Sequence, residues 1–314
     1  MSDWSWVRDP AFVAARRAQL LGLLGTLPPR TARPTGECLH AEARADARIE
    51  QWRLELNGIE PVPALLVLPA QQALRAVVLY CHAHGNCFDC GKDELLLRQP
   101  VIAQPPYGEL LPAMGIAALA IDHWGFGERA TLSERLLNKR FLSNGRTLWG
   151  MRVADTLAAF DWLGTQSALA GRPVIALGLS MGSTMACWAA ALEPRIAAVA
   201  DLCCLAAFDA LVASGNDDLH GEYFFVPGLR RHFSAAQINA LIAPRPHLSC
   251  AGADDPLTPP AGLASIDAAL AAAYAEAGAA SNWQQRVFAG GHQETVAMRA
   301  AVLDFFQRVI VREK

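Results

Sequence analysis

Pro173-Val174-Ile175-Ala176-Leu177-Gly178-Leu179-Ser180-Met181-Gly182 is an apolar run that breaks into a G-x-S-x-G motif. The apolar part suits a strand buried on both faces, and the motif turns such a strand sharply into a helix with a serine at the apex. Glycines on either side tolerate a strained backbone and let strand and helix pass close together. Ser180 is therefore the candidate nucleophile. Ser183 is a poorer one, because it would already lie inside the helix.

Two segments further along supply what a serine hydroxyl lacks. Gly252-Ala253-Asp254-Asp255-Pro256-Leu257-Thr258-Pro259 follows the strand-like stretch 247–251, and Gly290-Gly291-His292 follows another at 283–288. A hydroxyl attacks at neutral pH only if an imidazole takes its proton, and the imidazole needs a carboxylate to fix its tautomer and stabilise its cation. His292 is the expected base, with His82 and His84 less suited because their loop has another task. The acid stays open between Asp254 and Asp255. Counting from Gly252, the pattern G-x-x-D-P-x-x-P favours Asp255. Charge growing on a carbonyl oxygen also needs preorganised donors, and the N–H of Met181, at the positive end of the helix, is one.

Around these segments strands and helices alternate. Residues 49–56 and 59–68 read as two antiparallel edge strands joined by the hairpin signal Asn57-Gly58. Strands are expected at 76–82, 116–122, 174–179, 196–202, 247–251 and 284–288, and the apolar runs among them suit a parallel sheet covered on both faces. About eight strands in all are expected. Helices are expected near 10–26, 105–114, 150–164, 183–193, 261–277 and 294–311. The organisation predicted is an N-terminal helix and linker over 1–34 and one α/β catalytic domain over 35–314. That helix could pack on a partner as easily as on its own core. Two long connections, 123–148 and 206–244, leave the carboxyl ends of strands, where open α/β sheets carry ligands. They are read as shaping the substrate site.

Bulk properties narrow the function. The 314 residues are 53% hydrophobic and 18% charged, enough for one large core, and the net charge of −3 argues against a nucleic-acid partner. No run approaches the ~20 apolar residues of a membrane span. The start of the chain lacks the pattern of a secretory signal, so a cytoplasmic protein with reduced, buried cysteines is expected. His82, His84, Cys87 and Cys90 crowd one loop, but a single C-x-x-C lacks the second pair of a structural zinc site, and no metal is expected there. A redox pair is disfavoured by the local context.

With these residues in hand, the stretch 76–309 resembles the α/β-hydrolase superfamily, and within it the dienelactone hydrolase-like and acetyl xylan esterase-like proteins. The likeness rests on His82-Ala83-His84-Gly85, on Asp122-His123-Trp124-Gly125-Phe126-Gly127-Glu128-Arg129 and on the Ser180 motif. Further along it rests on Ala243-Pro244-Arg245-Pro246, Asp255-Pro256 and Gly291-His292-Gln293-Glu294-Thr295. The order Ser, Asp, His is also that of this superfamily. Dienelactone hydrolases proper carry a cysteine nucleophile, so the serine argues against that activity. Ala83 replaces the usual glycine of the oxyanion loop. Aligning His82-Ala83 with the common His-Gly start makes the His84 N–H the second oxyanion donor, with Asn86 as fallback.

The resemblance implies an α/β-hydrolase fold and a serine esterase that cleaves small carboxylic esters through an acyl-enzyme without a cofactor. Acetyl groups on a bulky alcohol are one such substrate. A peptidase, amidase or lactone hydrolase of the same fold is the alternative, and a catalytically silent binding protein the third. The partner expected is a small-molecule ester, without nucleic acid or membrane, and a homo-oligomer is left open. Trp124, Phe126, Trp149, Tyr223 and Phe224 are candidates to line the pocket, and Glu128, Arg129 and Arg152 are candidates for a buried ion network.

Overall fold

The computed structural model describes residues 3–312. Nine strands form a single sheet: β1 (Thr35–Ala43), β2 (Ala47–Glu55), β3 (Val62–Pro69), β4 (Ala76–Cys81), β5 (Ile116–Ile121), β6 (Val174–Leu179), β7 (Ala198–Leu202), β8 (His247–Gly252) and β9 (Trp283–Phe288). Their order is β1-β2-β3-β5-β4-β6-β7-β8-β9. The pairs from β1 to β5 across β3 are antiparallel, and all pairs from β5 through β4 to β9 are parallel. The chain runs outward in one direction after β4 and in the other after β6. Their carboxyl ends therefore diverge and leave a crevice, the usual ligand position in such sheets.

Alternate residues of the central strands serve two cores. Leu79, Val174 and Ala176 pack on one face, and Val78, Tyr80, Ile175 and Leu177 on the other. The first face is covered by α1 (Pro10–Gly22), α4 (Leu148–Thr165) and α5 (Met181–Leu192), the second by α9 (Val296–Arg312) and the short α2 (Tyr107–Leu110). A third cluster joins α8 (Pro260–Glu276) to β8 and β9 through Tyr274 and Trp283. The long connections carry α3 (Glu134–Ser143) in the first and α6 (Phe208–Ser214) and α7 (Ala235–Ala240) in the second. No helix among the described residues is long and apolar enough to cross a membrane.

Two local features differ from the sequence reading. The ninth strand, β1, is exposed along its whole length and bulges between Cys38 and His40, so it has no apolar alternation to betray it. Asn57-Gly58 does not make a two-residue hairpin. The buried Asn57 carboxamide accepts from the N–H groups of Ile59 and Glu60 and donates to Asp155, so the side chain itself organises a longer turn.

The C-terminal end of α5 is held with unusual density. Arg245 donates to the carbonyls of Ala190, Glu193, Ile196, Leu241 and Ile242. Arg17 of α1 adds bonds to Ala191 and Leu241, and with Val13, Leu20 and Leu24 it docks the N-terminal helix on its own domain. Two guanidinium groups thus satisfy carbonyls that the helix cannot pair internally, at the end where the helix dipole favours positive charge. Burial pulls Arg245 down to about 10, so it stays a cation at neutral pH. Arg245→Ala should strand these acceptors and cost about 3 kcal/mol or more, read as a lower urea midpoint at unchanged m-value. Arg245→Lys should recover only a minor part, because an ammonium cannot span the same fork.

Candidate active site

Ser180 stands where the sequence places it, between β6 and α5, with φ 56° and ψ −121°. A non-glycine residue in this region is strained and persists only when its surroundings impose it. Here they do. A Cβ on Gly182 would lie 1.9 Å from the Cys81 carbonyl oxygen, and one on Gly178 would lie 2.3 Å from the backbone of Gly182. Ser183 faces inward, donating to the Gly178 carbonyl and accepting from the Leu202 N–H at 2.6 Å. It locks the turn and offers no hydroxyl to a substrate.

Ser180 Oγ lies 2.8 Å from His292 Nε2, and His292 Nδ1 lies 2.8 Å from Asp255 Oδ2. The imidazole therefore donates from Nδ1 to the carboxylate and presents Nε2 as an acceptor to the hydroxyl. Asp255 is buried and its other oxygen accepts from Leu257 N–H at 2.9 Å. Burial pushes its carboxyl up, but the His292 hydrogen bond and charge and the Leu257 N–H more than offset this, and it stays below the ordinary carboxylate range. The Asp254 side chain is exposed, and only its backbone is engaged, donating to the Gly290 carbonyl. That bond, with the close approach of Gly252 to Gly290 and Gly291, brings the acid loop against the histidine loop. Glu294 fixes the histidine loop from behind. It is buried and receives Arg299, the Tyr107 hydroxyl and the Ala103 N–H.

The loop after β4 adjoins this group. Ala83 N–H is taken by Glu94, at 2.9 Å, and Asn86 N–H by His84 Nδ1, at 3.2 Å. Among the described residues the His84 N–H makes no hydrogen bond, and the Met181 N–H at the first turn of α5 makes none either. These two amides are the free donors the sequence reading named, while the fallback, Asn86, is already engaged. Glu94 carried no sequence signal. It also receives the Tyr80 hydroxyl, and burial raises its carboxyl to about 7 despite both hydrogen bonds. Cys203, next to Asp255 and His292, and His220, stacked on Phe224 at 4.3 Å, were equally silent, lying outside any motif.

His84 ties the two long connections together. Its Nε2 bonds Glu134 of α3 at 2.8 Å, its ring stacks on Tyr223 at 5.6 Å, and Glu134 in turn pairs with the fully buried Arg152. The ion network expected of Glu128, Arg129 and Arg152 is not built that way. Glu128 is exposed and meets Lys92, Arg129 pairs with Glu60 and Asp155, and Arg152 pairs with Glu134. Nor do all five aromatic candidates share a pocket. Trp149, Tyr223 and Phe224 line a cavity of about 870 Å³, whose wall reaches Thr184, one turn past Ser180. Trp124 and Phe126 are buried in the core, under Arg129 and His82 respectively, because their loop folds back over α4. Ser180 and His292 are not themselves part of the cavity wall.

The cysteines depart from the expected reduced, buried thiols at Cys38, which is exposed, and at the 87–90 pair. Cys87, half-buried, and Cys90, buried, are joined in a disulfide with Cα atoms 5.5 Å apart. The other six are free.

Burial raises the Glu134 carboxyl, but the bonds and charges of His84 and Arg152 overcome this and bring it down to about 2. In an unfolded chain it would titrate at about 4.3. Glu134 therefore stabilises the fold above that value, and the contribution is lost as pH falls from about 4 toward 2. Unfolding free energy measured by urea titration should drop more steeply over this window in the wild type than in Glu134→Gln. Equal slopes would show that the carboxylate is not held this way.

The chain is 41% identical over 297 residues to "Putative hydrolase YtaP" of Bacillus subtilis (strain 168), a match covering 94% of this chain and 99% of that one. No family model matches it. Among solved structures, a glucuronoyl esterase from Solibacter usitatus superposes with a TM-score of 0.68 at 18% identity, covering 96% of this chain and 94% of the other. Acetyl xylan esterase 1 from Thermoanaerobacterium sp. JW/SL YS485 does so with a TM-score of 0.59 at 16% identity, covering 93% and 98%. Those identities speak for the fold, and the sequence match speaks for the family. This chain belongs to the family of "Putative hydrolase YtaP" and is built on the α/β-hydrolase fold.

Proposed function

We propose that the protein is a serine esterase that cleaves small carboxylic esters through an acyl-enzyme. The observation that carries the reading is the unbroken hydrogen-bond chain from Ser180 Oγ through His292 to Asp255. Ser180 attacks the ester carbonyl while His292 Nε2 takes its proton. The imidazolium that forms is stabilised by Asp255, which keeps its negative charge. The tetrahedral oxyanion is received by the N–H groups of Met181 and His84. His292 then returns the proton to the departing alkoxide, leaving an acyl group on Ser180. Water repeats the sequence, losing its proton to His292 as it attacks, and releases the acid. Esterase names among the structural neighbours point the same way. A cavity of about 870 Å³ beside Thr184 is far larger than an acetyl group requires, and it fits the view that a bulky alcohol portion is bound there.

Ser180→Ala should lower kcat on an activated aryl acetate by about 10⁴–10⁶. A fluorophosphonate should add to Ser180 and to no other residue. Unchanged turnover in that variant ends the proposal. Asp255→Asn should lose about 10⁴ in kcat by disturbing the imidazole tautomer, whereas Asp254→Asn should stay close to wild type. The reverse outcome would move the acid to Asp254.

A further inference from the structure

The loop in which histidines and cysteines crowd the sequence brings no such donors together, since Cys87 and Cys90 are bonded to each other and His84 is held by Glu134. Three donors distant in sequence do converge. Cys187 comes from the second turn of α5, Asp201 from β7 and Cys204 from the loop just beyond it. Their two sulfurs and a carboxylate oxygen all lie within 4.8 Å of one another, with Cys204 Sγ 3.3 Å from Asp201 Oδ1. Tetrahedral zinc with its usual bond lengths sets neighbouring ligand atoms about 3.5–3.8 Å apart. A contraction of about an ångström at most closes the set, within reach of a thiol's χ1 rotation.

The surroundings resemble those of a ligand set more than those of ordinary core cysteines, which pack as small hydrophobes. His247 donates from Nε2 to Asp201 Oδ2 at 2.6 Å, and Ser249 donates to Oδ1 at 2.9 Å, so the carboxylate is oriented from behind. Such outer partners are what hold a metal-binding carboxylate in place. His247 Nε2 also lies 3.8 Å from Cys187 Sγ. Both cysteines form part of the wall of the 870 Å³ cavity, which supplies an entry path.

We propose that Cys187, Cys204 and Asp201 form a binding site for a divalent cation of the zinc class, with His247 and Ser249 as supports of the carboxylate. Binding displaces the two thiol protons to solvent: the cation and two thiols become a dithiolate complex and two protons. The carboxylate supplies the third bond, and water or a cavity ligand the fourth. The site lies two turns along the helix that follows Ser180, so an occupied site ties α5 directly to β7.

The test uses the full chain with the Cys87–Cys90 disulfide left intact, chelator-stripped and dialysed against Zn²⁺. About one equivalent of zinc per chain should be retained against a weak competitor, falling at least tenfold in Cys187→Ala/Cys204→Ala and unchanged in Cys203→Ala. Co²⁺ added to the wild type should give an intense thiolate-to-cobalt charge-transfer band in the near ultraviolet and the visible bands of tetrahedral cobalt. That spectrum needs no variant, so a double variant that fails to fold leaves the test intact. Retention no greater in the wild type than in the folded double variant, loss of retention in Cys203→Ala instead, or only the weak bands of octahedral cobalt would each overturn the proposal. Hydrolysis of an aryl ester by the metal-free chain reports separately on the esterase reading.

Discussion

Everything at the site depends on a single strained residue. Ser180 adopts a positive φ because Gly178, Gly182 and the Cys81 carbonyl are packed so tightly that the chain has no gentler route from β6 into α5. The same crowding sets the position of the loop after β4, whose strand pairs directly with β6. A hydroxyl projecting from the turn and amides turning off the neighbouring strand therefore share one crevice by construction. Later loops then bring an imidazole and a carboxylate to that point from the ends of β9 and β8. Three separate chain segments meet because parallel strands end along one edge of a sheet.

What stiffens this meeting place is mostly buried charge. Glu294 with Arg299 stands behind the histidine loop and Glu134 with Arg152 behind His84, while Glu94 holds the amide loop through hydrogen bonds and has no cation beside it. Breaking one member of such a pair leaves the other uncompensated in a medium that solvates it poorly, so each arrangement is self-enforcing. His84 is the junction. Through Glu134 it holds the first long connection and through Tyr223 the second, so two excursions that differ in sequence and length are referred to the same ring.

Much of this was legible in the residues because short-range chemistry wrote it there. The glycines around Ser180, the Asp-Pro turn and the Gly-Gly-His loop are each demanded by local backbone geometry. Local demands leave local patterns, and the spacing from Gly252 pointed to Asp255, the carboxylate that reaches His292. Burial periodicity marked the central strands for the same reason. It could not mark β1, which pairs with β2 and exposes every residue. Asn57-Gly58 misled because the amide bonds a residue 98 positions away, and nothing near it in sequence records that. Trp124 and Phe126 were recognisable as aromatic, but only the fold decides whether an aromatic loop turns toward solvent or back over a helix. Cys187, Asp201, Cys204 and His247 are the extreme case, since each alone looks like a minor polar residue in an apolar element.

The clamp of Arg17 and Arg245 on the far end of α5 has a bearing on the chemistry at its near end. A helix whose last carbonyls are gripped by two cations from other parts of the chain cannot slide or unwind when its first amide meets a new negative charge. Solvent dipoles around a free ester must swing into line every time an oxyanion forms. On the proposed mechanism the amide of Met181 is aimed beforehand, during folding, and the reorientation that water would repeat at each turnover is done once for the lifetime of the molecule.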